Sequence, residues 1–171
     1  MPIKRISTAW PLAMTPPKAF VKGCFFTHSD LRIQFEVPPN FVLFNSANQV
    51  IVIGPNKSKI IFDVANPEYI RQSDRLRKYL LTHLGSNLDL QDIEHVDVNG
   101  IGATTGSGRL KTSLGPRDIR LLVIKGAGNK VFRLAFITPL KMTEKLGEAF
   151  RRTTYSFRSL SRKKVKDINS L

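Results

Sequence analysis

The sequence predicts an α+β domain in which an antiparallel β-sheet meander is flanked by helices. Three observations carry this reading. Short runs of β-branched and aromatic residues recur through the middle of the chain, separated by turn residues. One stretch of helical periodicity interrupts these runs and a second follows them. The connections between the first strands are too short for parallel crossovers, so those strands are expected to pair antiparallel.

Residues 1–22 hold Pro2, Pro11, Pro16 and Pro17 with little periodicity and read as a flexible basic arm. Within it, Lys4-Arg5 precedes a short apolar stretch, Ile6 to Met14, as in a signal peptide. That stretch is broken by Pro11, so the arm is read as uncleaved. The single α+β domain is expected over 23–161, and 162–171 as a basic tail.

From Leu31, the residues Leu31, Ile33, Phe35 and Val37 alternate with Arg32, Gln34 and Glu36. This predicts a half-buried strand ended by Pro38-Pro39. Phe41–Phe44, Val50–Ile53 and Lys59–Val64 follow as short strands, with Gly54-Pro55-Asn56-Lys57 turning between the last two. Pro67 opens a helix to about Leu84, with Leu76, Leu80 and Leu84 on one face and Gly85 as its stop. Ile93, Val96 and Val98 mark a strand ending at Asn99-Gly100. Residues 101–111 are polar and are expected to pair with Ile119–Ile124. Gly126-Ala-Gly-Asn129 then joins that strand to Val131–Thr138 as a hairpin. The closing helix starts near Met142 and places Met142, Leu146, Ala149, Phe150, Thr153 and Phe157 at helical spacing.

A chain of 171 residues with a 42% hydrophobic fraction and 11 Phe can form one packed core. It buries roughly two thirds of its unfolded surface, so it needs no disulfide or metal to fold. The lone Cys24 excludes an internal disulfide and a multi-thiolate zinc site. Between Gly23 and Phe25-Phe26 it is expected to be a small buried residue. No apolar run approaches the ~20 residues of a membrane span.

The net charge of +14 is concentrated at the ends. Residues 1–22 contribute +4 and residues 151–171 contribute +6, which leaves +4 for everything between.

The three histidines, His28, His83 and His95, include no pair one helical turn apart. Glu94-His95 lies in a predicted strand, whose alternation points the two side chains to opposite faces. The glycines of Asn99–Gly108 fall at 100, 102, 106 and 108. They match neither the dinucleotide fingerprint nor a phosphate loop, and read instead as a strand turn with close backbone approach. No Gly-x-Ser-x-Gly elbow occurs. Asp89, Asp92, Glu94 and Asp97 cluster in sequence but are not paired into an acid/base couple, and read as solvation of a strand edge. No catalytic, metal or cofactor residue is therefore assigned.

The basic end is the one functional-looking feature left. Arg158, Arg162, Lys163, Lys164 and Lys166 are the candidate contacts for an anionic partner. Phe150 and Phe157, seven residues apart, share the apolar helix face and are expected in the core rather than stacking on bases.

Several segments together resemble a bacterial module. They are Phe26–Phe41, Asn45–Val50, Ile53-Gly-Pro-Asn56, Phe62-Asp63, Val98–Thr104 and Ser156–Ser161, in an order spanning roughly residues 20–161. They resemble the non-catalytic region downstream of the peptidase domain in exported HtpX-like zinc metallopeptidases. That family's catalysis uses a His-Glu-x-x-His helix and a third acidic ligand, none of which this chain has. The resemblance therefore implies the accessory half only, near the cell envelope or periplasm. The strand, Pro-Pro, strand pattern with a central and a closing helix is also similar to PsbP-like domains, antiparallel sheets that usually serve as assembly factors or adaptors.

The leading expectation is a non-enzymatic, protein-binding accessory domain, with a peptidase domain as one candidate partner. Two alternatives come from other classes. One is a fragment or subunit of a zinc-dependent metalloprotease. The other is a basic binder of nucleic acid or anionic membranes, for which only weak, non-specific nucleic-acid contact is expected.

Overall fold

The computed structural model describes residues 5–6, 19–22, 24–46, 49–65, 76–126 and 130–169. Its strands are β1 (Arg5–Ile6), β2 (Ala19–Lys22), β3 (Phe25–His28), β4 (Ile33–Glu36), β5 (Val42–Asn45), β6 (Val50–Ile53) and β7 (Lys59–Val64). A single α-helical turn, α1 (Leu76–Tyr79), continues as a π-turn over Leu80–Leu84. Then come β8 (Gln91–Val98), β9 (Ile101–Thr112), β10 (Gly115–Lys125) and β11 (Val131–Pro139). Helix α2 (Thr143–Ser156), β12 (Arg158–Ser159) and α3 (Arg162–Asn169) close the described chain.

These strands form two sheets. The large one has the order β1-β5-β6-β7-β11-β10-β9-β8, and the small one β12-β4-β3-β2. The predicted meander is thus two meanders, β5–β7 and β8–β11, joined where β7 pairs antiparallel with β11. The strand read over Leu31–Val37 belongs to the small sheet and not beside β5. Pro38 and Pro39 end it, and Asn40 turns with φ 67°, so the chain leaves one sheet and enters the other.

Two parts of the expected arm are strands instead. Arg5–Ile6 pairs parallel with Leu43–Phe44, and Ala19–Lys22 pairs antiparallel with Phe25–His28. Both lie at sheet edges, where backbone groups otherwise need solvent. The predicted helix start at Pro67 lies outside the described residues. Its described end agrees with expectation, because Gly85 N–H donates to Leu80 O at 2.8 Å. The β8–β9 connection is an Asn-Gly turn with φ 53° at Asn99 and 82° at Gly100, the left-handed pair that a type I′ hairpin requires.

The middle of the large sheet is buried on both faces, which explains the unbroken apolar run Leu121–Ile124. One face packs on the small sheet and α2 around Phe26, Phe35, Phe62, Phe132 and Phe157. Phe35 and Phe157 stack with centroids 6.1 Å apart and planes at 10°. The opposite face is covered by Tyr79 and Leu80, with Leu76 and Leu84 packed against them. Gly106 of β9 allows this close cover, since a Cβ there would lie 3.3 Å from Leu80 Cδ2. Cys24 is exposed rather than buried, because it lies in the turn before β3.

Candidate partner-binding groove

Strand alternation decides which residues of β8 to β11 face α2. On β10 these are Asp118, Arg120, Leu122 and Ile124; opposite them on β9 lie Arg109, Ser107, Thr105 and Ala103. Of the inner pairs, Leu122, Ile124 and Ala103 belong to the aromatic core, and Thr105 is buried beside them. The outer pairs are polar, and α2 does not seal the sheet there. A groove of about 900 Å³ opens between this part of the sheet and the helix residues Thr143, Gly147, Arg151 and Tyr155.

A bulge in β8 shapes the acidic rim. Gln91 pairs with Ser107 and Glu94 with Thr105, so three steps on β8 oppose two on β9. Asp92 is the added residue and adopts φ 52°. The bulge brings Gln91, Asp92 and Glu94 all to the groove, which strict alternation forbids. His95 pairs with Thr104 and faces away, as expected for a neighbour of Glu94.

The charges of the groove fall into two groups. Asp118 is engaged: it accepts from Arg109 at 3.3 Å and from Thr143 Oγ1 at 2.5 Å, while Thr138 Oγ1 lies 2.9 Å from the same hydroxyl. Asp92, Glu94, Arg120 and Arg151 are exposed, and no ion pair among the described residues uses them. Under the floor, Thr105 Oγ1 is buried without a hydrogen-bond partner among the described residues. A buried hydroxyl left unpaired costs about 1–3 kcal/mol.

The other buried charges are structural. Arg133 makes two 2.6 Å hydrogen bonds to Asp63 and one of 3.0 Å to Tyr79 Oη. Burial alone would depress its pKa, and the Asp63 carboxylate reverses this and holds it above the ordinary arginine value. His28 is buried and its Nδ1 accepts from Leu31 N–H at 3.2 Å. The side chain of His83 lies outside the described residues. No group of three metal-ligating side chains occurs among the described residues. No described helix is long and apolar enough to cross a membrane.

The five cations singled out in the sequence do not form one site. Arg158 sits on β12 and donates to Gln34 Oε1 at 3.1 and 2.8 Å, with its guanidinium 5.9 Å from the Phe25 ring centroid. It ties the side chain of β12 to that of β4. Arg162, Lys163, Lys164 and Lys166 lie exposed on α3, which Ser161 caps by accepting from Lys164 N–H at 3.0 Å. The groove residues were missed because their placement depends on the bulge and on strand pairings distant in sequence. The acidic run from Asp89 to Asp97 was the available signal.

A sheet covered on one face by a short helical turn and on the other by α2 and a small sheet defines the PsbP-like α+β class. No family model and no curated protein matches the chain by sequence. Among solved structures, it is similar to cyanobacterial PsbP (CyanoP) from Synechocystis sp. PCC 6803. That match has a TM-score of 0.61 and 13% identity, over 81% of this chain and 95% of that one. A Bacteroides thetaiotaomicron VPI-5482 protein matches with TM-score 0.58 and 14% identity, over 84% of this chain and 50% of that one. LpqN of Mycobacterium tuberculosis, described as involved in cell envelope biogenesis, matches with TM-score 0.54 and 15% identity. It is covered over 83% of its length by 75% of this chain. At these identities the likeness establishes the fold.

Proposed function

We propose that this chain is a non-catalytic adaptor domain that docks a protein partner through the groove beside α2. The observation that carries the reading is the pair of uncompensated charges of each sign, Arg120 and Arg151 against Asp92 and Glu94, on one open concavity. A mixed-sign surface complements a protein, whereas the carboxylates repel a phosphate backbone. The resemblance to the module following the catalytic domain of HtpX-like metallopeptidases suggests a peptidase domain as one partner. The description of LpqN supports an envelope setting for such a role.

The test places a photo-reactive amino acid at Tyr155, which is 48% exposed on the groove rim, and as control at Lys125, exposed at the other end of β10 and facing away from Asp118 and Arg120. Irradiation of cells producing the full chain is expected to give a discrete adduct from Tyr155 alone. It should resist nuclease and be digested by protease. A nuclease-sensitive adduct, or none from Tyr155, contradicts the reading.

A second reading is favoured by one observation, the four exposed cations of α3. In that reading α3 gives weak, sequence-independent contact with polyanions. Neutralising Arg162, Lys163, Lys164 and Lys166 should then lower the salt slope of RNA binding by up to about three units, at ~0.7 per phosphate contact for single strands. An unchanged slope removes α3 from consideration.

A further inference from the structure

Gly147 is the fifth residue of the 14-residue α2 and lines the groove. A Cβ built there meets nothing within 4 Å, so no contact among the described residues requires glycine. Glycine in a helix interior weakens the helix relative to alanine, and one of its uses is to let backbone approach a ligand closely. Thr105, whose hydroxyl is buried and has no hydrogen-bond partner among the described residues, also lines the groove. Arg120 and Arg151 are free for an acidic side chain, and Asp92 and Glu94 for a basic one.

We propose that the groove binds an extended segment of the partner protein that passes over Gly147 and carries both an acidic and a basic side chain. The acidic side chain meets Arg120 and Arg151, and the basic one meets Asp92 and Glu94. This inference rests on the adaptor reading and adds the chemistry of the docked segment. Asp92 and Glu94 share this face by strand alternation, and the bulge in β8 brings Gln91 to it as well.

The probes are fluorescent synthetic peptides of roughly ten residues, about 30 Å when extended. They carry one Glu and one Lys at every separation in a Gly/Ser background, with two-Glu, two-Lys and uncharged controls. Anisotropy on the full chain should show a narrow range of separations binding at least about tenfold tighter than every control. Arg120→Glu combined with Arg151→Glu should shift the preference to two-Lys peptides. Gly147→Leu should weaken binding by about tenfold or more, with Tm no lower than the parent's. If Gly147→Leu does lower Tm, the preference shift of the double variant decides alone. Equal binding at all separations, no gain over the controls, or full affinity in a well-folded Gly147→Leu chain overturns the inference. If the peptides fail while the Tyr155 adduct persists, the adaptor reading stands and the segment chemistry falls. If both fail, the adaptor reading falls as well.

Discussion

The Phe150 ring lies between Phe41 and Phe136, with centroids 6.1 and 5.1 Å away. It marks the boundary between the aromatic core and the groove, since it belongs to the core and also lines the opening. Phe150→Ala should destabilise the protein by about 3–5 kcal/mol, through lost burial and the cavity left between helix and sheet. Urea unfolding with an unchanged m-value checks this, and a cost near zero would place the ring outside the core. Arg133 shows how the same sheet treats a cation it does not present to solvent. Each of its three guanidinium nitrogens donates a hydrogen bond, two to Asp63 and one to Tyr79. Arg32 occupies a turn at φ 52° and Arg133 is an internal brace, whereas Arg120 is an exposed strand cation.

Helix α2 serves two purposes along its length. Leu146, Phe150 and Thr153 are buried, while Gly147 and Arg151 border the groove. Because the space at Gly147 is open, Gly147→Ala should stabilise the chain by about 0.5–1 kcal/mol, read as a rise in the urea midpoint. A loss of stability would mean that a side chain at 147 clashes with the sheet. The elements themselves were largely legible: Val50–Ile53 and Lys59–Val64 are strands with the bounds the sequence indicates. Local alternation and turn chemistry specify such strands without help from the rest of the fold. The partition into two sheets was not legible, because short connections suggest neighbouring strands and cannot show that Pro38-Pro39 redirects the chain. Nor was the bulge, since Gln91, Asp92 and Glu94 share a face only through their pairing with β9. The short β12 went unread because its partner, β4, lies more than a hundred positions earlier in the chain.

At the level of the molecule, charge and shape separate two surfaces that composition alone merges. Most of the +14 charge belongs to the chain ends, and of the five predicted contact residues one braces the small sheet while four decorate α3. The groove lies elsewhere, between the large sheet and α2, and carries both signs. A polyanion binder and a protein adaptor therefore use different parts of one structure, and each part can be removed without the other. The most direct measurement is the yield of the Tyr155 photo-adduct in three chains: the parent, a chain ending at residue 161, and Arg120→Glu with Arg151→Glu. The adaptor account predicts that the shortened chain keeps the adduct and the double reversal loses it. Loss on shortening, with full yield after the charge reversal, would contradict it and assign the interaction to α3.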